Sequence, residues 1–222
     1  MLTLHTYFRS SAAFRVRIAL NLKALAYQSV AVHLVRNGGE QIAQAYRSLN
    51  PDGLVPAMTL EAFDGATSPE VLTQSLAMIE YLDEQYPGSP LLPVQPLDRA
   101  WVRSIALSIA CDIHPVNNLR VLRYLTGKLQ VSEADKDAWY RHWCEQGLTA
   151  LEVRLARDKR VGQFCFGDTP GLADCCLIPQ VMNAQRFNCD LSAMPTILRI
   201  HKICMTRDEF QRASPAAQGD AQ

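Results

Sequence analysis

The sequence predicts two domains: an α/β domain with element order βαβαββα, followed by an all-α domain. Three observations carry this prediction. Short strand-like runs alternate with helical periodicity over residues 1–86, and four prolines (Pro87, Pro90, Pro93 and Pro96) with Gly88 and Ser89 interrupt that pattern. From Asp98 onward apolar residues recur only at helical intervals. The expected boundaries are therefore 1–86 for the α/β domain, 87–97 for a proline-rich linker on a defined path, and 98–222 for the helical domain.

In chain order, Leu2-Thr3-Leu4-His5-Thr6-Tyr7-Phe8 has the alternation of a strand, and Tyr7 within it is expected to be core. A helix follows over about 11–24. At 100° per residue it places Phe14, Ile18 and Leu22 on one side and Ala13, Val16 and Leu20 on the other. A helix apolar nearly all round is expected to be sandwiched, so Arg15 and Arg17 need partners or a route to solvent. Residues 27–34 read as a second strand, and 40–49 as a short polar helix after the Gly38-Gly39 break. Asn50-Pro51-Asp52-Gly53 is a turn, leading into a strand over 54–60 whose Pro56 cannot donate to a ladder. Phe63-Asp64-Gly65-Ala66 predicts a hairpin turn and Val71-Leu72 a return strand. Leu76, Ile79 and Leu82 then give a helix capped by Ser75 and ended by Pro87. Beyond the linker, Trp101, Ile105, Ile109, Val121, Leu125, Trp139, Trp143, Leu148, Leu151 and Leu155 continue at helical spacing, and the tail after Arg212 is expected to fray.

The totals narrow the function. With 22 basic and 22 acidic residues, no global field favours nucleic acid or an anionic membrane, so any anion site must be local. There is no leader pattern, and no run reaches the ~20 apolar residues of a membrane span, which places the chain in the cytoplasm. The seven cysteines are odd in number and form no C-x-x-C pair, which argues against a disulfide framework or a zinc ribbon; no metal is expected. They are expected to be reduced and mostly buried.

Ser10 or Ser11 stands where the first helix needs an N-cap. A helix start offers unpaired N–H groups and partial positive charge, which favour a bound anion. If that anion is a thiolate, its pKa falls. From this stretch alone, an ordinary serine cap is the better reading.

Further motifs extend the pattern: Ser10-Ser11-x-x-Phe14-Arg15-Val16-Arg17-Ile18-Ala19-Leu20, Gly38-Gly39-Glu40-Gln41, Leu49-Asn50-Pro51, Val55-Pro56, Gln74-Ser75, and Gly167-Asp168 through Asp174 with Pro179-Gln180. Together they resemble the zeta class of glutathione transferases over nearly the whole chain. Its bacterial members also look like this chain at Cys111-Asp112-Ile113-His114-Pro115-Val116-Asn117-Asn118. The resemblance implies a thioredoxin-like first domain, a glutathione transferase fold overall, and a homodimer, with the first helix as the wall between domains. It implies glutathione as cofactor and a small dicarboxylate as substrate. The expected activity is cis-trans isomerisation of maleylacetoacetate or maleylpyruvate in aromatic catabolism. The alternatives are conjugation of α-haloacids and glutathione binding without catalysis.

On that resemblance, Ser10, Ser11 and Arg9 are the catalytic candidates. Glutathione is expected at Ser10, Gln41, Val55, Pro56, Gln74, Ser75, His114 and Asn118, and substrate carboxylates at Arg9, Arg120 and Arg186, whose planar guanidinium groups suit them. The family's Val-Pro bond is cis and presents Val55 to an extended peptide; without the family, a trans proline at a strand start is the better reading. Two residues depart from the pattern. Ala12 replaces a cysteine common in the class, so no protein thiol acts there. Gly171 replaces Thr or Ser, leaving Asp174 to cap the Gly171 N–H without the reciprocal hydroxyl bond.

Overall fold

Leu2, Leu4 and Thr6 are buried along β1 (Leu2–Thr6), while Thr3 and His5 between them are half-buried, the alternation of a strand with one face to the core. β1 lies inside a four-stranded sheet of order β2-β1-β3-β4. β2 (Tyr27–Ala31) runs parallel to it with Ser29 opposite Leu4, and β3 (Ala57–Leu60) antiparallel with Met58 opposite Leu4. β4 (Glu70–Thr73) pairs with β3. The computed structural model describes residues 1–61 and 69–221, so the hairpin turn expected over 63–66 lies outside the described residues.

Helices α1 (Ser11–Leu22), α2 (Gln44–Arg47) and α3 (Ser75–Gln85) complete the βαβαββα order. The helical region comprises α4 (Pro96–Leu107), α5 (Leu119–Gly127), α6 (Glu133–Arg157), α7 (Leu172–Arg186) and α8 (Pro195–Cys204), with α9 (Asp208–Ala213) after it. A π-helical turn, Ser108–Ile113, joins α4 to a 3-10 turn at Pro115–Asn117. Gly147 on α6 leaves no room for a Cβ against Ile113, so the turn can lie close to that helix.

Several elements are shorter than the sequence suggests, each for a local reason. α1 stops before Ala24 because Ala24 takes φ 51°, a left-handed helix stop, and the Leu25 N–H bonds Leu20 O. β2 gives way to a turn at His33, whose Nδ1 accepts the Val35 and Arg36 N–H groups at 3.2 and 2.9 Å. The helix expected over 40–49 is divided by extended Ala43, ψ 145°, into a 3-10 turn at Glu40–Ile42 and α2.

The chain divides into two compact units, Met1–Pro90 with the segment from Arg207 onward, and Leu91–Thr206. The helical unit is thus not 98–222. In the first unit α1 is buried on both faces, packed against α3 and α9. The tail after Arg212 does not fray: Ala213 O accepts Arg17 Nε at 2.9 Å, and Asp220 accepts the Phe8 N–H at 3.0 Å. Buried Lys23 bonds Asp83 and the Gly88 carbonyl, both at 2.9 Å, fixing the chain where the prolines begin. In the second unit α7 is buried along nearly its whole length, and α6 buries Tyr140, Cys144, Leu148, Leu151 and Leu155 at helical spacing. Each fully buried leucine there contributes about 2 kcal/mol.

Candidate active site

Ser10 is the N-cap of α1, with extended backbone and an Oγ that accepts the Ala13 N–H at 3.1 Å. Ser11 is the first helical residue and is buried. The structure thereby separates the two serines that the sequence left equivalent as caps. The Ser10 N–H closes the preceding turn onto Tyr7 O at 2.9 Å, and Phe14 N–H bonds Ser10 O. Among the described residues, nothing bonds the N–H groups of Ser11 and Ala12. Two donors and the positive end of a 12-residue helix are therefore available to an anion. Ser10 receives a hydrogen bond on a lone pair, so its own proton is left to donate. Exposed Arg9 precedes it, with the guanidinium 4.9 Å from the centre of the Phe8 ring.

α3 starts differently from the expectation. Ser75 is not its cap; exposed Gln74 is, at φ 67°, and the Gln74 side chain makes no capping bond. A left-handed glutamine displaces the N-cap by one residue and leaves the first-turn N–H groups of Ser75, Leu76 and Ala77 unpaired among the described residues. Ser75 is buried, and its Oγ instead accepts buried Arg15 Nη1 at 3.2 Å. A cation from α1 thus adds to the positive start of α3, a pairing that suits a carboxylate.

Between these two helix starts in sequence, the Val55-Pro56 bond is cis. Leu54 O is held by two donors, Tyr46 Oη at 2.7 Å and Asn50 Nδ2 at 2.8 Å. Burial pushes the Tyr46 hydroxyl up to about 12, so it stays protonated and donates. The N–H and C=O of Val55 itself make no hydrogen bond among the described residues, although Val55 is buried. Unpaired main-chain groups in a buried residue are costly, and an extended peptide would satisfy them.

Gln41 is buried, in contrast to the exposed helical residue that its polar surroundings suggest. Its Oε1 has no hydrogen-bond partner. Gly39 at φ 118° makes room for it: a Cβ there would stand 2.5 Å from that oxygen. Gly53, at φ 62°, would place a Cβ 3.1 Å from Gln41 O. The break at Ala43 and these two glycines turn Gln41 inward, information that helical periodicity does not hold. The orphaned Oε1, the unpaired Val55 peptide and the open starts of α1 and α3 together fit a short anionic peptide with a thiol.

The other candidates belong to the second unit. His114 is half-buried, and its N–H bonds Ile109 O at 2.9 Å to close the π-helical turn, a feature frequent at functional sites. Asn118 is the N-cap of α5 and its Oδ1 accepts the Arg120 N–H at 3.1 Å, which leaves Nδ2 and one Oδ1 lone pair for a ligand. The turn is braced on α6 through Asn117 Nδ2 to Tyr140 O and Trp139 Nε1 to Val116 O, at 3.1 and 3.0 Å. Arg120 is exposed. Arg186 is exposed at the end of α7, 4.8 Å from the centre of the Phe187 ring, which stacks on Tyr140 at 3.6 Å. Tyr140 therefore supports both the 114–120 stretch and Arg186. Tyr7 is core, as expected.

Departure at Gly171 has a steric reason. Asp174 Oδ2 accepts the Gly171 N–H at 2.9 Å as expected, and a Cβ at Gly171 would stand 2.7 Å from Leu91 O, which accepts the Leu172 N–H. Among the described residues no group of His, Cys, Asp and Glu could hold a metal, and no helix is long and apolar enough to cross a membrane. Five of the seven cysteines are buried.

Residues 4–90 match the family model for the glutathione S-transferase N-terminal domain. Over 220 residues the chain is 48% identical to a probable maleylacetoacetate isomerase of Vibrio cholerae, covering 99% of this chain and 98% of the relative. The holo structure of a maleylpyruvate isomerase, a bacterial glutathione S-transferase of the zeta class, superposes with a TM-score of 0.91 at 44% identity, covering 99% of this chain and all of that one. A maleylacetoacetate isomerase of Methylobacterium extorquens AM1, crystallised with malonate and glutathione, also gives a TM-score of 0.91, at 40% identity and 99% coverage of both chains.

Proposed function

We propose that this chain, which belongs to the zeta class of the glutathione transferases, is a glutathione-dependent cis-trans isomerase of maleylacetoacetate or maleylpyruvate in the breakdown of aromatic compounds. The observation that carries the reading is the start of α1, where two unpaired N–H groups lie beside a serine hydroxyl with a proton to give. Glutathione, when bound, would supply a thiolate for reversible addition to one carbon of the cis double bond, which makes that bond single and free to rotate, and expulsion of the thiolate would restore the double bond in the trans form.

The chain's own residues hold and orient. Ser11 and Ala12 N–H with the Ser10 O–H stabilise negative charge on sulfur and so lower the thiol pKa. Val55 N–H and C=O pair with the cysteinyl part of the tripeptide as an added strand, and Gln41 Oε1 accepts one of its N–H groups. Ser75, Leu76 and Ala77 N–H, reinforced by Arg15, receive a carboxylate. Arg9 offers a guanidinium to a substrate carboxylate and to the negative charge that develops on the substrate. We extend the substrate assignment to Arg120 and Arg186, and the glutathione assignment to Gln74, His114 and Asn118. Ala12 leaves no protein thiol at the helix start, which favours a reaction that needs only glutathione's sulfur. Assignment to the cytoplasm as a homodimer accompanies this reading, and sedimentation of the purified chain tests the second part.

The direct test is a side-by-side assay of maleylacetoacetate and maleylpyruvate with glutathione. The expected result is a fumaryl product from at least one of them, with no net consumption of glutathione. Absence of product from both would overturn the isomerase reading.

A further inference from the structure

The guanidinium of Arg17 is fully buried, and among the described residues no carboxylate bonds it. Its donors go to the turn that leads into α1 and to the far end of the chain. Nη1 reaches Thr6 Oγ1 at 2.8 Å and Tyr7 O at 3.4 Å, Nη2 reaches Phe8 O at 3.1 Å, and Nε reaches Ala213 O at 2.9 Å. From the other side Asp220 Oδ2 accepts the Phe8 N–H at 3.0 Å. The Phe8 residue is thus gripped at both main-chain groups, N–H by Asp220 and C=O by Arg17. Tyr7 O, which also takes an Arg17 donor, accepts the Ser10 N–H at 2.9 Å. Ala221 packs on the cluster that contains Tyr7 and Phe8.

We propose that Asp220 and Arg17 are positioning residues of the thiol site: the C-terminal segment straps the turn at residues 7–10 and sets where the Ser10 hydroxyl and the first N–H groups of α1 point. The proposal rests on the glutathione reading above. Apart from the bond to Thr6 Oγ1, every link is a hydrogen bond to main chain, so the strap controls the path of the backbone and leaves the N–H groups of Ser11 and Ala12 uncommitted. Asp220 also supplies negative charge near a cation that burial pulls down to about 10, and so helps to keep it charged. Hydrogen bonds to a charged group are the stronger kind, which suits a clamp made of few contacts.

The test uses the full chain with Asp220→Ala and Asp220→Asn, and follows four quantities: the far-ultraviolet absorbance of the thiolate against pH with glutathione bound, glutathione affinity by calorimetry, kcat and KM, and hydrogen exchange at the Phe8 amide without ligand. In Asp220→Ala the thiol pKa rises toward that of free glutathione, kcat falls about tenfold, KM for glutathione stays within about twofold, and the Phe8 amide loses protection. Asp220→Asn, which keeps an acceptor for the Phe8 N–H, recovers most of the exchange protection. An unchanged thiol pKa and kcat in Asp220→Ala, or a matching fall of affinity, kcat and melting temperature, would overturn the positioning role. If the native chain itself fails to lower the thiol pKa, the glutathione reading falls, and the Phe8 exchange rates still decide whether Asp220 straps the turn.

Discussion

At the start of α1 the N–H of the first helical residue, Ser11, has no partner among the described residues, whereas at the start of α7 its counterpart on Leu172 is taken by the chain itself. There Asp174 Oδ2 takes the Gly171 N–H, Asp174 Oδ1 takes the Cys165 N–H, and Leu91 O takes the Leu172 N–H, all at 2.9 Å. Both starts are positive helix ends preceded by a residue in extended conformation. The difference lies in the acceptors supplied: Leu91 O and the side chain at the third helical position, Asp174, at α7, against Ala13 at that position of α1. The Asp174 carboxylate folds back onto the N-cap N–H while Leu91 O takes the first helical one; among the described residues α1 has no acceptor in the place of Leu91 O. α3 reaches the open condition by another route, a left-handed Gln74 whose side chain does not cap. A helix start stays open to an anion where the sequence withholds the acceptor that would otherwise fill it.

Substitutions at the two kinds of start should therefore fail in different ways. The largest effect is expected at the closed one: Asp174→Ala leaves two N–H groups unpaired, Cys165's in full burial, and lowers folding stability by about 3 kcal/mol in urea unfolding. Turnover per folded molecule stays the same, and a loss of turnover in the folded fraction would erase the distinction. Ser10→Ala inverts that outcome, with kcat down about a hundredfold and stability down by only about 1 kcal/mol from the lost cap. Equal losses in the two measurements would show α1 to be a structural start like α7. Gly171→Thr restores the class's usual residue but drives a Cβ toward Leu91 O; it costs about 1 kcal/mol instead of the few tenths gained at an open cap. A rise in melting temperature would show that Leu91 gives way. The smallest change is Gln74→Gly, which relieves the left-handed backbone and raises stability by up to about 1 kcal/mol. Weaker glutathione binding in that variant would assign the lost affinity to the Gln74 side chain, while unchanged binding would confine the contribution to the N–H groups behind it.

Much of this was legible in the sequence because it is local. Helical spacing from Phe14, a serine before it, and Val55-Pro56 entering a strand each act within a few residues, and each is where the pattern places it. The errors arise where backbone geometry or distant residues decide. Ser75 has the chemistry of a cap, yet the φ of Gln74 moves the cap back by one. Gln41 lies in a polar stretch, yet Ala43 and the two glycines turn it inward. Asp220 is 212 residues from its partner Phe8, and no periodicity reports such a contact. Gly171 is a departure from the class pattern until Leu91 O is in view. Arg17 marks an intermediate case: burial of a cation was legible from the helix's apolar surround, but its acceptors were not.

The return of the segment from Arg207 to the first unit has a consequence for biosynthesis. Residues 1–90 carry the open starts of α1 and α3, Gln41 and Val55, and they leave the ribosome first. Asp220 leaves it later, after all of Leu91–Thr206. The first unit therefore cannot finish folding in the order in which it is made. A nascent chain stalled anywhere before Ala213 has Arg17 without the Ala213 carbonyl and the Phe8 amide without its acceptor.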